Sequence, residues 1–229
     1  MGAGRGQLKH RLQRSRHRWP WRSYSSLYFL PMSLTRCTWF EQTKQLRDFH
    51  DQEWGDPIAD ADVLFEYVVL YTFQVGIGLR VVLPKREQFR EVLAGFEAAR
   101  LACFTAYQVD ELLDDPRIIR NRRKLEAVVQ NAGAWLRLLA AEGGEAGVLK
   151  FFYAFVGGHP LNSQRADAEA PPLHTPAAEA LSRELKRRGF ALLGPATCYG
   201  LMQAAGLVND HAVECPRHGE CRAMLGGNS

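Results

Sequence analysis

Two Cys/His pairs stand at opposite ends of this 229-residue sequence: Cys37 with His50, and His211 with Cys215. If one ion binds all four, the two ends must fold together, and no other feature restricts the topology as strongly. His211 and Cys215 have i, i+4 spacing, which puts both side chains on one face of a helical turn. Two thiolates and two imidazoles complete a tetrahedral shell suited to Zn2+ with no position left for water, so such a site is structural, not catalytic. A second grouping meets the same rule locally. His211, Cys215, His218 and Cys221 are close enough in sequence to chelate an ion without Cys37. Spacing does not choose between the two.

The cysteines are Cys37, Cys103, Cys198, Cys215 and Cys221. An odd set with no secretory signal argues for thiols or metal ligands over a disulfide framework. Cys103 and Cys198 read as buried apolar fillers. Charge is unevenly placed. The first 36 residues carry Arg5, Lys9, Arg11, Arg14, Arg16, Arg18, Arg22 and Arg36 and no acid; without these eight the net charge goes from +4 to −4. The basic balance therefore belongs to a leader (1–35) and gives no global argument for nucleic-acid binding. Three readings fit the leader: upstream residues ahead of a true start at Met32, an organellar transit peptide, or a basic DNA-contacting tail. In a bacterium the domain is expected in the cytoplasm or at the nucleoid. No stretch approaches the roughly 18 uncharged apolar residues of a membrane span.

Helical periodicity dominates the rest, and the expected class is all-α. Helices are predicted over 61–70, 86–93, 96–103, 109–113, 121–139, 149–156, 177–188 and 198–205. The run 149–156 is almost continuously apolar and so reads as central. Residues 157–176 hold four prolines and read as a surface loop that ends in Thr175-Pro176, a good helix start. No strand alternation is visible. The expected organisation is a leader (1–35), one domain (36–217) and a tail (218–229).

Five segments then resemble the 3-methyladenine DNA glycosylase I family, in that family's order. They are Arg36-Cys37-Thr38-Trp39, Phe49-His50-Asp51-Gln52-Glu53-Trp54-Gly55, Ile118-Ile119-Arg120-Asn121-Arg122 with Lys124, Leu185-Lys186-Arg187-Arg188-Gly189-Phe190, and Gly206-Leu207-Val208-Asn209-Asp210-His211 with Cys215. The resemblance implies a helix-hairpin-helix glycosylase fold. It also implies one structural Zn2+ per chain on Cys37, His50, His211 and Cys215, and a monomer acting on double-stranded DNA with an alkylated base. The activity implied is base-excision repair by hydrolysis of the N-glycosidic bond. A catalytically weak relative that holds DNA or a damaged base is the alternative.

Within that frame, 115–124 is a turn feeding a helix whose free amides and whose Arg117, Arg120, Arg122, Arg123 and Lys124 suit phosphate contact. The family has Gly where this chain has Arg117. The resemblance places the base pocket on Phe49, Tyr71, Phe73 and Leu79. There this chain departs from the family: Tyr71 replaces a base-reading Glu, Leu79 a stacking Trp, and Phe49 a Tyr. Phe73, Gln74 and Gly76 are retained. No catalytic residue is assigned. Asp51 and Asp210 flank metal ligands and are expected to orient the histidines. Glu53 is a further nearby carboxylate, and Glu66 is expected to pack or face solvent.

Overall fold

The computed structural model describes residues 37–225, apart from 41 and 168. The leader and every reading of it lie outside the described residues. After a 3-10 turn (Thr38–Phe40) the helices are α1 (Lys44–Gln52), α2 (Ala61–Gln74), α3 (Leu79–Val82), α4 (Arg86–Val92), α5 (Ala98–Leu101), α6 (Ala106–Asp114), α7 (Arg122–Ala141), α8 (Glu145–Ala154), α9 (Pro176–Arg187), α10 (Pro195–Ala204) and α11 (Pro216–Leu225). All eight expected helical regions are helical, though 96–103 shrinks to a 3-10 turn and the four-residue α5.

The centre is α2. Asp60 caps it, its Oδ1 accepting from the amides of Asp62 and Val63. Eleven of its fourteen residues are buried, so it is apolar on every side and takes neighbours on every side. It packs on α7, α10 and α8. Phe65 meets Trp135 of α7, and Phe73 meets Phe89 of α4. The expectation that 149–156 is the central helix is corrected. α8 fully buries only Val148 and Phe152, because an unbroken apolar run does not say how many faces find partners.

Buried polar groups tie these helices. Asn131 of α7 donates to Thr72 Oγ1 (3.0 Å) and the Ala191 carbonyl (3.1 Å), and accepts from the Ala191 amide (2.7 Å). Glu66 does not face solvent. It receives Arg86 Nε at 2.6 Å and Arg90 at 2.7 Å, while Arg86 also reaches Glu53, which accepts from the Tyr67 hydroxyl. These charges join α1, α2 and α4 around one nearly buried carboxylate.

Two features were absent from the sequence reading. Leu161–Asn162 (β1) and Val208–Asn209 (β2) form a two-residue parallel pair, too short to show alternation. The pair draws the 157–175 loop onto the segment that delivers His211. Residues beyond 217, read as a tail, continue α11 and bury Cys221. No single described helix is long and apolar enough to cross a membrane.

Candidate functional site

Cys37, His50, His211 and Cys215 are fully buried, and their ligand atoms all lie within 4.8 Å of one another. His50 comes from the last turn of α1. Its Nε2 stands 3.0 Å from His211 Nδ1 and 3.6 Å from Cys215 Sγ. His211 Nδ1 is 3.8 Å from both sulfurs. Neighbours set both tautomers. His50 Nδ1–H donates to Asp51 at 2.9 Å, and His211 Nε2–H donates to the Trp54 carbonyl at 2.8 Å. Each ring therefore turns an unprotonated nitrogen inward, as a metal ligand requires. The hydrogen bond from the Cys37 thiol holds the Cys215 thiol well below its ordinary range. The four residues could hold a metal ion.

The local C-terminal alternative does not form. His218 Nε2 donates to the Ser163 carbonyl at 2.8 Å, and Cys221 turns to Asp56. Asp51 orients a histidine as expected. Asp210 does not: its carboxylate accepts from Tyr199 (2.9 Å) and Gln203 (2.6 Å) and faces Arg165. Its place in sequence, next to His211, says nothing about its side chain, which points to α10 instead.

A cavity of about 680 Å³ lies against this cluster. Trp54 is shared by both. It lines the cavity, stacks on His50 and stands edge-on to His211 (4.6 Å). Phe40, Tyr71 and Tyr199 supply the other aromatic walls; Gln42, Gln74, Gln203 and Thr197 add amides and a hydroxyl; among the described residues Arg80 is the one charged lining residue. Pro171, Pro172 and Leu173 close one side from the 157–175 loop.

Of the four residues expected in the base pocket, Tyr71 and Leu79 line this cavity and two do not. Phe49 is buried edge-on against Tyr67 (5.9 Å), and Phe73 packs on Phe89 (4.6 Å). Phe49 is on the buried face of α1, and Phe73 faces the core because α2 is buried all round, so nearby aromatics on it serve opposite sides. Trp54, Tyr199 and Gln203 were missed. The last two stand i, i+4 on α10, a spacing that read only as an apolar face.

The expected DNA segment is a hairpin between α6 and α7. Arg117 keeps ordinary backbone geometry, and its amide donates to Asp115 Oδ1 at 2.8 Å. An aspartate-closed turn thus does without the family's glycine. The Arg117 side chain pairs with Asp115 and Glu91, and Arg122 pairs with Asp110 and Glu126. Arg120 and Arg123 are exposed, with no ion pair among the described residues. Lys124 is corrected. It is buried, and its Nζ donates to the carbonyls of Phe73 (2.7 Å) and Val75 (2.6 Å). It closes the C-terminal end of α2 and offers no charge to a ligand.

The sequence model of the methyladenine glycosylase family matches residues 39–218. The DNA-3-methyladenine glycosylase of Haemophilus influenzae is 40% identical over 182 residues, covering 80% of this chain and 97% of the relative. DNA-3-methyladenine glycosylase 1 of Escherichia coli is 39% identical over 182 residues, covering 80% and 96%. A crystal structure of 3-methyladenine DNA glycosylase I superposes with a TM-score of 0.75 at 40% identity, over 80% of this chain and 98% of that one. The Staphylococcus aureus enzyme, described for its recognition of 3-methyladenine, gives 0.75 at 32% identity over 81% and 97%. A family match over residues 39–218, with relatives about 40% identical across almost their whole length and the same fold in the solved structures, leaves one conclusion: the chain belongs to the methyladenine glycosylase family.

Proposed function

We propose that this protein is a DNA glycosylase that excises an alkylated base from double-stranded DNA. The observation that carries the reading is the aromatic cavity built on the metal cluster, in a chain whose hairpin presents Arg120 and Arg123. A glycosylase must extrude its target nucleotide and hold the base by stacking and hydrogen bonds. Trp54, Phe40, Tyr71 and Tyr199 supply the faces. Alkylation at N3 leaves adenine cationic. When the N-glycosidic bond breaks, the bonding pair moves to the base and cancels that charge, water adds its oxygen to the sugar carbon, and a proton is released. Such a leaving group needs little acid catalysis, which suits a cavity lined by no Asp or Glu among the described residues. The same lack favours a second reading, a relative that binds the base but turns it over weakly.

The expected outcome with full-length protein and methylated duplex DNA is release of 3-methyladenine and one abasic site per base. No release from the native protein, together with release by a Tyr71→Glu, Leu79→Trp double variant, would decide for the weak binder.

The hairpin supplies the backbone contact, and the protein acts as a monomer. Each phosphate contact adds about 0.9 to the slope of log affinity against log salt. Arg123→Ala is therefore expected to lower that slope by about one. Lys124→Met should leave it unchanged while lowering the melting temperature, because two carbonyls lose their donor. An equal slope change for both variants would put Lys124 back on the DNA surface.

The metal is Zn2+, held by Cys37, His50, His211 and Cys215. Tetrahedral zinc with bonds of about 2.0 Å to N and 2.3 Å to S sets neighbouring ligands about 3.3–3.8 Å apart. Four of the six separations here run from 3.0 to 3.8 Å, and all six lie within 4.8 Å. When bound, the ion supplies structural closure, since protein fills all four positions. Its link to the reaction is mechanical: His211 fixes the Trp54 carbonyl, and Trp54 forms a cavity wall.

A further inference from the structure

Tyr71 sets the edge of its ring against Gly200. A Cβ at position 200 would stand 2.6 Å from Tyr71 Cε1, closer than real contacts allow. The two positions are therefore matched: a ring at the end of α2 needs a missing side chain on α10. The Tyr71 side chain is 3% exposed, yet its hydroxyl has no hydrogen-bond partner among the described residues and is not among their sealed polar atoms. Its open side is the cavity that Tyr71 lines. A buried phenol normally finds a partner, so a free hydroxyl on a cavity wall is a place for a ligand to bond. Burial alone pushes its pKa up, with no charged neighbour contributing, so it stays neutral at physiological pH.

The α10 wall is also fixed. Asp210 can only accept hydrogen bonds, so Gln203 must turn its NH2 toward it. That leaves the Gln203 carbonyl as an acceptor with no partner among the described residues. Tyr199 likewise spends its proton on Asp210. Apart from Arg80, the polar side chains that the described residues give the cavity are neutral: a phenol, a fixed amide oxygen, two further amides and a threonine.

We propose that Tyr71, seated on Gly200, is the specificity-determining residue of this cavity, hydrogen-bonding the bound base as a neutral group, so that the pocket takes charged and uncharged alkylated purines alike. The inference rests on the reading of the cavity as a base pocket. A carboxylate at position 71 draws a cation through an ionic hydrogen bond, whereas a neutral base gives it only the weaker, uncharged hydrogen bond of its exocyclic amine. A phenol donates or accepts and is indifferent to charge. The aromatic faces stack with either form and leave the cation a modest preference.

The test measures binding of two free bases to full-length, metal-loaded protein above neutral pH, read by Trp fluorescence or calorimetry. The probes are 3-methyladenine, which is neutral there, and 3,9-dimethyladeninium, a permanent cation. The native protein should bind both, within about tenfold of each other. Tyr71→Phe keeps the ring on Gly200 and removes only the hydroxyl; it should weaken both by about tenfold at an unchanged melting temperature. Tyr71→Glu should shift the ratio toward the cation by at least about tenfold. Gly200→Ala, which pushes the ring into the cavity, should weaken both while metal content stays at one per chain. Native affinity in Tyr71→Phe, or a native preference for the cation near a hundredfold, overturns the assignment. The outcome separates from that of the proposed activity. Binding as described without base release would leave this inference standing and remove the glycosylase reading. Base release unaffected by Tyr71→Phe would do the reverse. Binding of neither probe would remove both.

Discussion

Replacing Cys37 with alanine should empty the metal site and unfold the domain. Structural zinc contributes on the order of 10 kcal/mol at neutral pH, which is comparable to the roughly 5–15 kcal/mol that holds a whole domain together. Three ligands keep only part of this affinity, and the loss has a second component. Cys37 lies 174 residues from His211, so the ion closes a very long loop, worth about 5 kcal/mol of unfolded-chain entropy by the cross-link estimate. The packing around it also depends on the clasp. Phe40 meets His50 at 5.0 Å and Trp54 at 4.7 Å, so release of residue 37 frees the turn that carries a cavity wall. Metal analysis and thermal melting read the result: the variant should hold well under one ion per chain and show no cooperative transition near that of the native protein. Chelation of the native protein should do the same. Cys221→Ala is the control, because Cys221 is equally buried but bonds Asp56 and lies outside the cluster. Stoichiometric metal and a native melting temperature in Cys37→Ala, with loss of both in His218→Ala, would falsify the long-range clasp.

The buried cluster of Cys37, His50, His211 and Cys215 was the most legible part of the sequence because ligand chemistry is discrete. Only a few residue types bind such an ion, and the family's order distinguished the two possible sets. The cavity was less legible for a physical reason. Phe73 and Tyr71 are two residues apart on a helix apolar all round, and periodicity cannot say which neighbour each will meet. Phe49 looked like a wall and is core. Lys124 looked like a surface charge because lysine usually is one; that two carbonyls at the end of α2 would sit within its reach depends on how α2 and α7 cross. Asp210 shows the same limit from the other side. Its place beside His211 suggested a role on the metal, yet its side chain organises Tyr199 and Gln203. What joins the two sites is Trp54, which sequence placed in a motif but could not place in space.

Gly206→Ala should have the second-largest effect, because this residue delivers both sites at once. It ends α10 at φ +65°, with its amide donating to the Gln203 carbonyl (3.2 Å) and the Leu207 amide to Met202 (2.9 Å). These are the paired bonds of a helix stop that favours glycine. The backbone conformation alone would cost alanine about 1–2 kcal/mol. The larger cost is contact. An added Cβ would lie 2.3 Å from the Asp56 carbonyl oxygen, 2.4 Å from its carbon and 2.5 Å from Pro57 nitrogen. All three are backbone atoms, so no rotamer relieves the clash; one strand of chain must move. That strand follows Trp54 and is held to α10 by the Ile58 amide on the Ala205 carbonyl (3.1 Å). Moving it separates Trp54 from His211 on one side and shifts Gln203 and Asp210 on the other. The expected destabilisation is about 4 kcal/mol or more, in the range reserved for named structural lesions, with weakened metal binding and weakened base binding together. Gly78→Ala gives the comparison. Gly78 has φ +80° but nothing within 4 Å of an added Cβ, so it should carry the conformational cost alone and keep its metal. Equal melting temperatures for the two variants would mean that the approach of α10 to residues 56 and 57 is not what holds cavity and clasp in register.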